Sequence, residues 1–125
     1  MKAIHTSSAP AAIGPYSQAT YNKGLLFVSG QIGIDPSTGM MGKSFEKQAE
    51  LIFDNLRNIL TAANMSFRNV MKVTIYLEDI MNFETLNRIY ALHFGDPYPA
   101  RETVQVARLP KNAALEISLI ACDRF

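Results

Sequence analysis

One amphipathic stretch in the first half of the chain limits the fold more strongly than any other feature. Between Phe45 and Ala63, apolar residues recur at the three- and four-residue spacing that places side chains on one helix face. Ser44 precedes the stretch as a good N-cap, and Glu46 carries a negative charge where the helix dipole favours one. Asn64, a residue type that often ends helices, follows it. The apolar face must be buried against another layer, through Phe45, Ala49, Ile52, Phe53, Leu56, Ile59, Leu60 and Ala63.

A strand and a second helix are predicted in the middle of the chain. The segment 70–77 is rich in β-branched and aromatic residues, which favour a strand. The segment 81–94 returns to helical spacing, with Asp79 as a candidate N-cap and Gly95 at its end. Its predicted core-facing residues are Phe83, Leu86, Ile89, Tyr90 and Phe94.

The remaining regular segments are predicted to be strands. Apolar residues of both parities in 25–32 predict a strand that is buried on both faces. The order of elements predicts an α+β fold, a mixed sheet with two helices packed on one face. The other face must be solvated or buried by oligomerisation. The predicted strands are Ala3–His5, 17–21, 25–32, 103–107 and 114–122, with a hairpin turn at Asn22–Gly24.

The composition is that of a single domain spanning residues 1–125. Hydrophobic residues make up 48% and charged residues 18%, which excludes a disordered chain and leaves few charges for so small a surface. A net charge of +1 without a run of Lys or Arg lacks the footprint of a nucleic-acid binder. No apolar run approaches the roughly 20 residues that span a bilayer, and no targeting segment is visible. A lone Cys122 excludes an internal disulfide, so we expect a soluble cytoplasmic protein.

Two charges near the C-terminus are the candidate functional residues. Pro97 and Pro99 lead to Arg101 at the start of a strand, and Glu116 stands among apolar residues of the last strand. Both are expensive to bury without a ligand, a water or a partner chain. Strand alternation places Arg101 with Thr103, and Glu116, on the more polar faces of their strands. We assign those faces to the side of the sheet away from the helices.

The spacing argues against an ion pair between these two charges within one chain. If the last two strands form a hairpin near Pro110–Asn112, Glu116 lies opposite Gln105, and Arg101 is about 10 Å or more away. The two residues are therefore candidates for a small-anion site that a subunit interface would complete. Taken alone, each residue type at such a position more often belongs to an ordinary ion pair.

Motifs along essentially the whole chain resemble the RidA/YjgF family of reactive-intermediate (enamine/imine) deaminases. The most specific is the C-terminal motif, in which Pro99–Arg101 is followed by Val104–Pro110 and Leu115–Ile117. The other matching pieces are Gly14–Ala19, Ser29–Gln31 and Asp79–Tyr90, the last including Phe83 and Asn87.

The resemblance implies a YjgF/chorismate-mutase-like fold and a homotrimer whose three sheets form a central barrel, with helices outside and three clefts between subunits. It also implies hydrolysis of 2-imino acids, such as 2-iminobutanoate and 2-iminopropanoate, to 2-keto acids and ammonia. Such imines arise in amino-acid metabolism when pyridoxal-phosphate dehydratases release enamines. Neither a cofactor nor a metal is expected, since His5 and His93 lack partners at metal-ligand spacing.

The resemblance also implies roles for individual residues. Arg101 corresponds to the arginine that clamps the substrate carboxylate, and Glu116 to the glutamate that positions the attacking water. A planar guanidinium matches a carboxylate, and a glutamate within reach can accept the proton of the water. The remaining cleft residues are expected to be Tyr16, Ser29, Gly30, Asn87 and Thr103, with Gly30 and Thr103 contributing mainly through their backbone.

Two positions depart from the family pattern. Many members carry cysteine where this chain has Thr103, and a small uncharged residue where it has Glu102. Backbone contacts at position 103 should survive the change. Strand parity points Glu102 away from Arg101, so we expect it to affect the site little.

Other functions stay open on the sequence alone. The second hypothesis is a non-catalytic trimer that binds small carboxylates or a partner protein, although the retained Arg101 and Glu116 favour the enzyme. Nucleic-acid cleavage, which has been attached to some relatives, finds no basic patch here. Some residues have ordinary alternatives: Tyr16 could be an interface aromatic, and Ser29 and Asn87 could bridge backbone groups.

Overall fold

The computed structural model describes residues 1–124, which form an α+β fold with a mixed sheet and two α-helices. The elements are β1 (Lys2–Ile4), β2 (Ala19–Asn22), β3 (Leu25–Gln31), α1 (Phe45–Ala62), β4 (Val70–Leu77), α2 (Phe83–Tyr90), β5 (Ala100–Gln105) and β6 (Leu115–Cys122). The six strands lie in the order β1-β2-β3-β6-β4-β5. All neighbours are antiparallel except β4 and β5, which run parallel. Within this part of the chain, no helix is long and apolar enough to cross a bilayer.

Helix α1 confirms the amphipathic pattern to within one residue. The Ser44 hydroxyl accepts a hydrogen bond from the Lys47 backbone N–H at 3.1 Å, as the N-cap prediction requires. The chain leaves the helix at Ala63, and Asn64 takes a left-handed conformation with φ of 58°. The side-chain amide of buried Asn55 donates to the Ile34 carbonyl at 2.8 Å. This polar contact ties the helix to the loop that follows β3.

The second helix is shorter than predicted. A 3₁₀ turn at Ile80–Asn82 precedes α2, and the Asp79 carboxylate accepts from the Met81 N–H at 2.9 Å, so Asp79 caps that turn instead of the helix. After Tyr90 the hydrogen bonds tighten to three-residue steps, as in the bond from the His93 N–H to the Tyr90 carbonyl. The apolar pattern therefore continues to Phe94 although the α-helix does not.

The predicted hairpin between the last two strands is wrong, because β4 lies between β5 and β6. The segment β4–α2–β5 is a crossover unit, and a crossover through a helix makes its two strands parallel. Strand β5 consequently takes the edge of the sheet. The segment around Pro110–Asn112 is a 3₁₀ turn in the connection that returns the chain to β6.

Register across the sheet corrects the predicted face of Arg101. Arg101 pairs with Val73, which is fully buried beneath the helices, so both side chains point to the helix side. Thr103 pairs with buried Ile75 and follows the same rule. The alternation of side chains along β5 correctly predicted which of its residues share a face of the sheet. It could not predict which of the two faces is covered by the helices, because that depends on the strand with which β5 pairs.

The opposite face of the sheet, which we call the open face, is uncovered in the single chain. Strand β3 alternates between exposed and buried residues, with Leu25 and Phe27 exposed and Leu26 and Val28 buried. The prediction that this strand is buried on both faces is therefore wrong for one chain, because the two helices cover only one side. Val104 of β5 is a further exposed apolar residue on the open face.

Candidate functional site

Arg101 lies against helix α2 at the edge of the sheet, in what we call the arginine pocket. One terminal guanidinium nitrogen donates a 2.7 Å hydrogen bond to Asn87 Oδ1. The guanidinium carbon lies 4.8 Å from the centre of the Tyr90 ring and 5.6 Å from that of Phe83. The surface cavity here measures about 280 Å³ and also includes Tyr98.

Helix α2 supplies all three partners of the arginine from one face. Phe83, Asn87 and Tyr90 stand at positions i, i+4 and i+7, which follow one stripe along a helix. The crossover between β4 and β5 brings that stripe over the start of β5, where Arg101 emerges. The site is therefore a product of the parallel pairing that the sequence did not reveal.

Glu116 lies on the open face, in what we call the glutamate pocket. Glu116 pairs with Tyr76 of β4, and its side chain points away from the helices. The cavity measures about 320 Å³, and its walls are mainly apolar. They are formed by the loop 10–16, the end of β3 and the turn at Pro110, including Ile13, Tyr16, Ile32 and Ile34.

The carboxylate of Glu116 is held without a charged partner. Burial raises the pKa of this carboxyl above its ordinary value, because the apolar surroundings disfavour the ionised form. Within residues 1–124 it forms no ion pair. A half-buried, unpaired carboxylate with a raised pKa is typical of a group kept for proton transfer.

Gly30 makes room for this carboxylate. A Cβ atom at Gly30 would stand 2.5 Å from Glu116 Oε2 and 2.7 Å from its carboxyl carbon, so the carboxyl group would have to move away. A glycine inside a strand often marks a place where another group comes close to the backbone. Here that group is the Glu116 side chain. The glycine lets Glu116 lie flat against β3 with its carboxyl group inside the pocket.

Of the other predicted site residues, Tyr16 lines the glutamate pocket and Asn87 the arginine pocket, whereas Ser29 and Thr103 line neither. Tyr16 lines the glutamate pocket, with about half of its side chain (51%) exposed. The Ser29 hydroxyl donates to the Ser17 carbonyl at 2.6 Å, the backbone bridge that was its ordinary alternative. Thr103 lies on the helix side, and its hydroxyl oxygen is buried without a hydrogen-bond partner among residues 1–124.

Tyr90 and Phe83 were not predicted as partners of Arg101. Both rings were predicted to lie in the core, and Tyr90 is indeed buried, whereas 38% of Phe83 is exposed. Their spacing from Asn87 was the available signal, since all three residues share one helix face. Recognising it would have required knowing that Arg101 points to the helix side.

Glu102 lies away from the site, as strand parity predicted. Its carboxylate forms a 3.0 Å salt bridge with Lys72 on the open face. The carboxylate is largely exposed, so the pair contributes little to stability. Glu102 therefore does not compete for the guanidinium of Arg101.

Arg101 and Glu116 do not meet within one chain. Arg101 pairs with Val73 of β4, which in turn pairs with Leu119 of β6. Leu119 is three residues from Glu116 along β6, and β6 is two strands away from β5. At about 3.3 Å per residue and 4.8 Å per strand, their Cα atoms are roughly 14 Å apart, and their side chains leave opposite faces. One chain thus carries two candidate half-sites, one with a guanidinium and one with an unpaired carboxylate.

The protein is similar to known proteins over almost its full length. The family model described as Endoribonuclease L-PSP matches residues 6–123. A human protein named 2-iminobutanoate/2-iminopropanoate deaminase is 44% identical over 121 residues, which cover 96% of this chain and 88% of the human one.

Two solved structures match the fold closely. RidA from the Antarctic bacterium Psychrobacter sp. PAMC 21119 has a TM-score of 0.95 at 41% identity, covering 98% of this chain and 99% of that one. E. coli TdcF with bound serine has a TM-score of 0.94 at 41% identity, covering 99% and 100% of the two chains.

Proposed function

Because this chain belongs to the RidA/YjgF family, we propose that it hydrolyses reactive 2-imino acids, such as 2-iminobutanoate and 2-iminopropanoate, to 2-keto acids and ammonia. The observation that carries the proposal is the pair of half-sites. Arg101 is a fixed guanidinium with most of its donors unused, and Glu116 is an unpaired carboxylate in an apolar cavity. A carboxylate binder and a base are the two groups that this hydrolysis requires.

The complete site forms between neighbouring subunits of a homotrimer. The open faces of three sheets close into a central barrel, which covers the exposed Leu25, Phe27 and Val104. The arginine pocket of one subunit then faces the glutamate pocket of the next. Support comes from the position of the two half-sites on opposite faces of the sheet, which no rotamer within one chain can bring together.

Arg101 binds and orients the substrate. A guanidinium has five N–H donors, and Asn87 takes one of them, so a bidentate fork remains for the substrate carboxylate. Holding the carboxylate fixes the position of the imine carbon relative to a water on the opposite wall. Tyr16 and the backbone at Gly30 and Thr103 line the path between them.

Glu116 activates the water. As the water oxygen bonds to the imine carbon, the C=N π electrons move to nitrogen and Glu116 takes a proton from the water. Glu116 then returns that proton to the amino nitrogen. As the C–N bond breaks, Glu116 takes the hydroxyl proton, so the C=O bond forms, ammonia leaves, and the proton passes from Glu116 to the departing ammonia. The raised pKa of Glu116 suits a group that must both accept and release a proton. Methyl and ethyl side chains fit the apolar walls.

No cofactor or metal enters this mechanism. Among residues 1–124, no three His, Cys, Asp or Glu side chains come together as a metal site. A protonated imine already reacts with water unaided, so positioning and proton transfer supply the modest acceleration required. A cytoplasmic location is part of the proposal, consistent with the single free cysteine, Cys122.

The test is an imine-trapping assay. A threonine dehydratase generates 2-iminobutanoate, and semicarbazide competes for it. Added protein should speed the release of 2-ketobutyrate and suppress semicarbazide trapping. Arg101→Ala should abolish the effect, whereas Arg88→Ala, which removes an exposed arginine from the neighbouring helix α2, should not.

Two other functions would give different results. A non-catalytic carboxylate-binding trimer would bind 2-ketobutyrate through Arg101 yet leave the trapping rate unchanged. A ribonuclease, which the description of the family model suggests, would cleave RNA with a dependence on Glu116 or Arg101, although the net charge of +1 does not favour RNA binding. An unchanged trapping rate with the wild-type protein would contradict the proposed activity.

A further inference from the structure

The guanidinium of Arg101 lies over an aromatic ring that is itself immobilised. Tyr90 is only 5% exposed, and its ring stacks on Phe94 at 4.5 Å and meets Phe53 edge-on at 6.3 Å. Phe83, the other ring beside Arg101, is exposed on one side and lies farther away. Tyr90 is therefore the fixed surface against which the arginine rests.

The hydroxyl oxygen of Tyr90 is buried and has no hydrogen-bond partner among residues 1–124. Burial raises the pKa of this phenol to about 12, so it stays protonated at neutral pH and does not exchange protons with the substrate. The contact that the structure shows between Tyr90 and Arg101 is made by the ring.

An arginine side chain without such a surface samples many rotamers. Binding a carboxylate would then cost the entropy of ordering it. The Asn87 hydrogen bond restrains one guanidinium nitrogen, but a single bond leaves rotation of the plane. A ring face 4.8 Å away attracts the cation and sets the tilt of that plane.

We propose that Tyr90 is a positioning residue whose ring face, and not its hydroxyl, holds the guanidinium of Arg101 in the orientation that receives the substrate carboxylate. This inference rests on the proposed role of Arg101. The alternative is that Tyr90 only fills the core, in which case its replacement affects folding and not the arginine.

The experiment compares three variants of the full-length protein. Tyr90→Leu removes the ring, and Tyr90→Phe removes only the hydroxyl. Phe67→Leu is the matched control, because Phe67 packs on Phe53 and Phe94 in the same aromatic cluster but lies beneath a different arginine, Arg57. Each is measured for its affinity for 2-ketobutyrate, for KM and kcat, and for the NMR signal of the Arg101 Nε–Hε group.

Tyr90→Leu should weaken 2-ketobutyrate binding about three- to thirty-fold, the range expected for a partly desolvated cation–π contact. KM should rise more than kcat falls. The Arg101 Nε–Hε signal should shift as the ring current disappears. Tyr90→Phe should restore affinity and signal, and Phe67→Leu should lower thermal stability without moving either.

Two results would overturn the inference. Wild-type affinity and an unshifted Arg101 signal in Tyr90→Leu would show that the ring only fills the core. Equal losses in Tyr90→Phe and Tyr90→Leu would assign the role to the hydroxyl. If Arg101→Ala leaves 2-ketobutyrate binding unchanged, the proposed role of Arg101 fails, and the NMR signal alone then decides whether Tyr90 orients the arginine.

Discussion

The arginine pocket surrounds the charge of Arg101 with partners, whereas no residue among 1–124 pairs with the carboxylate of Glu116 in the glutamate pocket. Arg101 has an amide oxygen at 2.7 Å and an aromatic face at 4.8 Å, all supplied by one helix. Glu116 projects into an apolar cavity, where burial alone determines the direction of its pKa shift. The two pockets lie on opposite faces of one sheet and are built from different elements.

The difference fits the two tasks that we propose for Arg101 and Glu116. A group that binds substrate gains from being ordered in advance, because less entropy is lost on binding. A group that transfers protons gains from a pKa nearer the working pH, which a salt bridge would prevent. The first arrangement stabilises the fold and the second costs stability, so substitutions in the two pockets should move stability in opposite directions.

Glu116→Gln should give the largest effect on activity and raise stability. Removal of the base should slow imine hydrolysis by about 10²-fold or more. The carboxyl pKa is raised in the folded chain, so ionisation favours the unfolded state once the pH exceeds the ordinary value of 4.5. The variant should therefore be more stable than the wild type at pH 7 and equal to it at pH 3.

Urea unfolding at both pH values, beside the trapping assay, checks this prediction. A variant that is less stable at pH 7 would show that ionised Glu116 has a favourable partner. The pH dependence of wild-type kcat/KM is a second test of the raised pKa. The value of kcat/KM should rise with pH through a pKa above 4.5, because only the ionised form of Glu116 accepts the proton of the water.

Gly30→Ala should give the next largest effect, because its Cβ would overlap the Glu116 carboxyl group. Glu116 would have to change rotamer, which should lower kcat by roughly tenfold. Stability should change little, because the displaced carboxyl group is the end of a flexible side chain. Gly95→Ala is the matched control, since within residues 1–124 no atom beyond its chain neighbours lies within 4 Å of its Cβ position. Wild-type kcat in Gly30→Ala would mean that Glu116 does not act from the position described here.

Thr103→Val should give the smallest effect, a gain in stability. The hydroxyl of Thr103 is buried without a partner among residues 1–124, and burying such a group costs about 1–3 kcal/mol. Valine keeps the shape and removes the polar atom, so the free energy of unfolding should rise by about 1 kcal/mol. A loss of stability, measured by thermal unfolding, would show that the hydroxyl finds a partner in the assembled protein.

Much of the fold could be predicted from local patterns. The cap at Ser44, the helix it begins, and strand β4 all follow from periodicity and propensity, and the structure confirms them. The hairpin turn at Lys23 and Gly24 follows from turn chemistry, because both residues take positive φ. Each of these features depends on residues that are close in sequence.

What the sequence could not give was the pairing of distant strands. Alternation showed that Arg101 and Thr103 share a face, but the face itself depends on the parallel pairing of β5 with β4. The helix between those strands was the overlooked signal, because a strand–helix–strand unit favours parallel pairing. The contacts of Arg101 with helix α2 were not predicted for the same reason.

The active site that we propose combines Arg101 from one subunit with Glu116 from another. Mixing Arg101→Ala with Glu116→Gln protein, after unfolding and refolding together, tests it most directly. Each variant alone is inactive, yet in randomly mixed trimers about one site in four would join an intact Arg101 to an intact Glu116. If the site is shared between subunits, the mixed trimers should recover about a quarter of wild-type imine hydrolysis. Mixed trimers as inactive as either parent would contradict it.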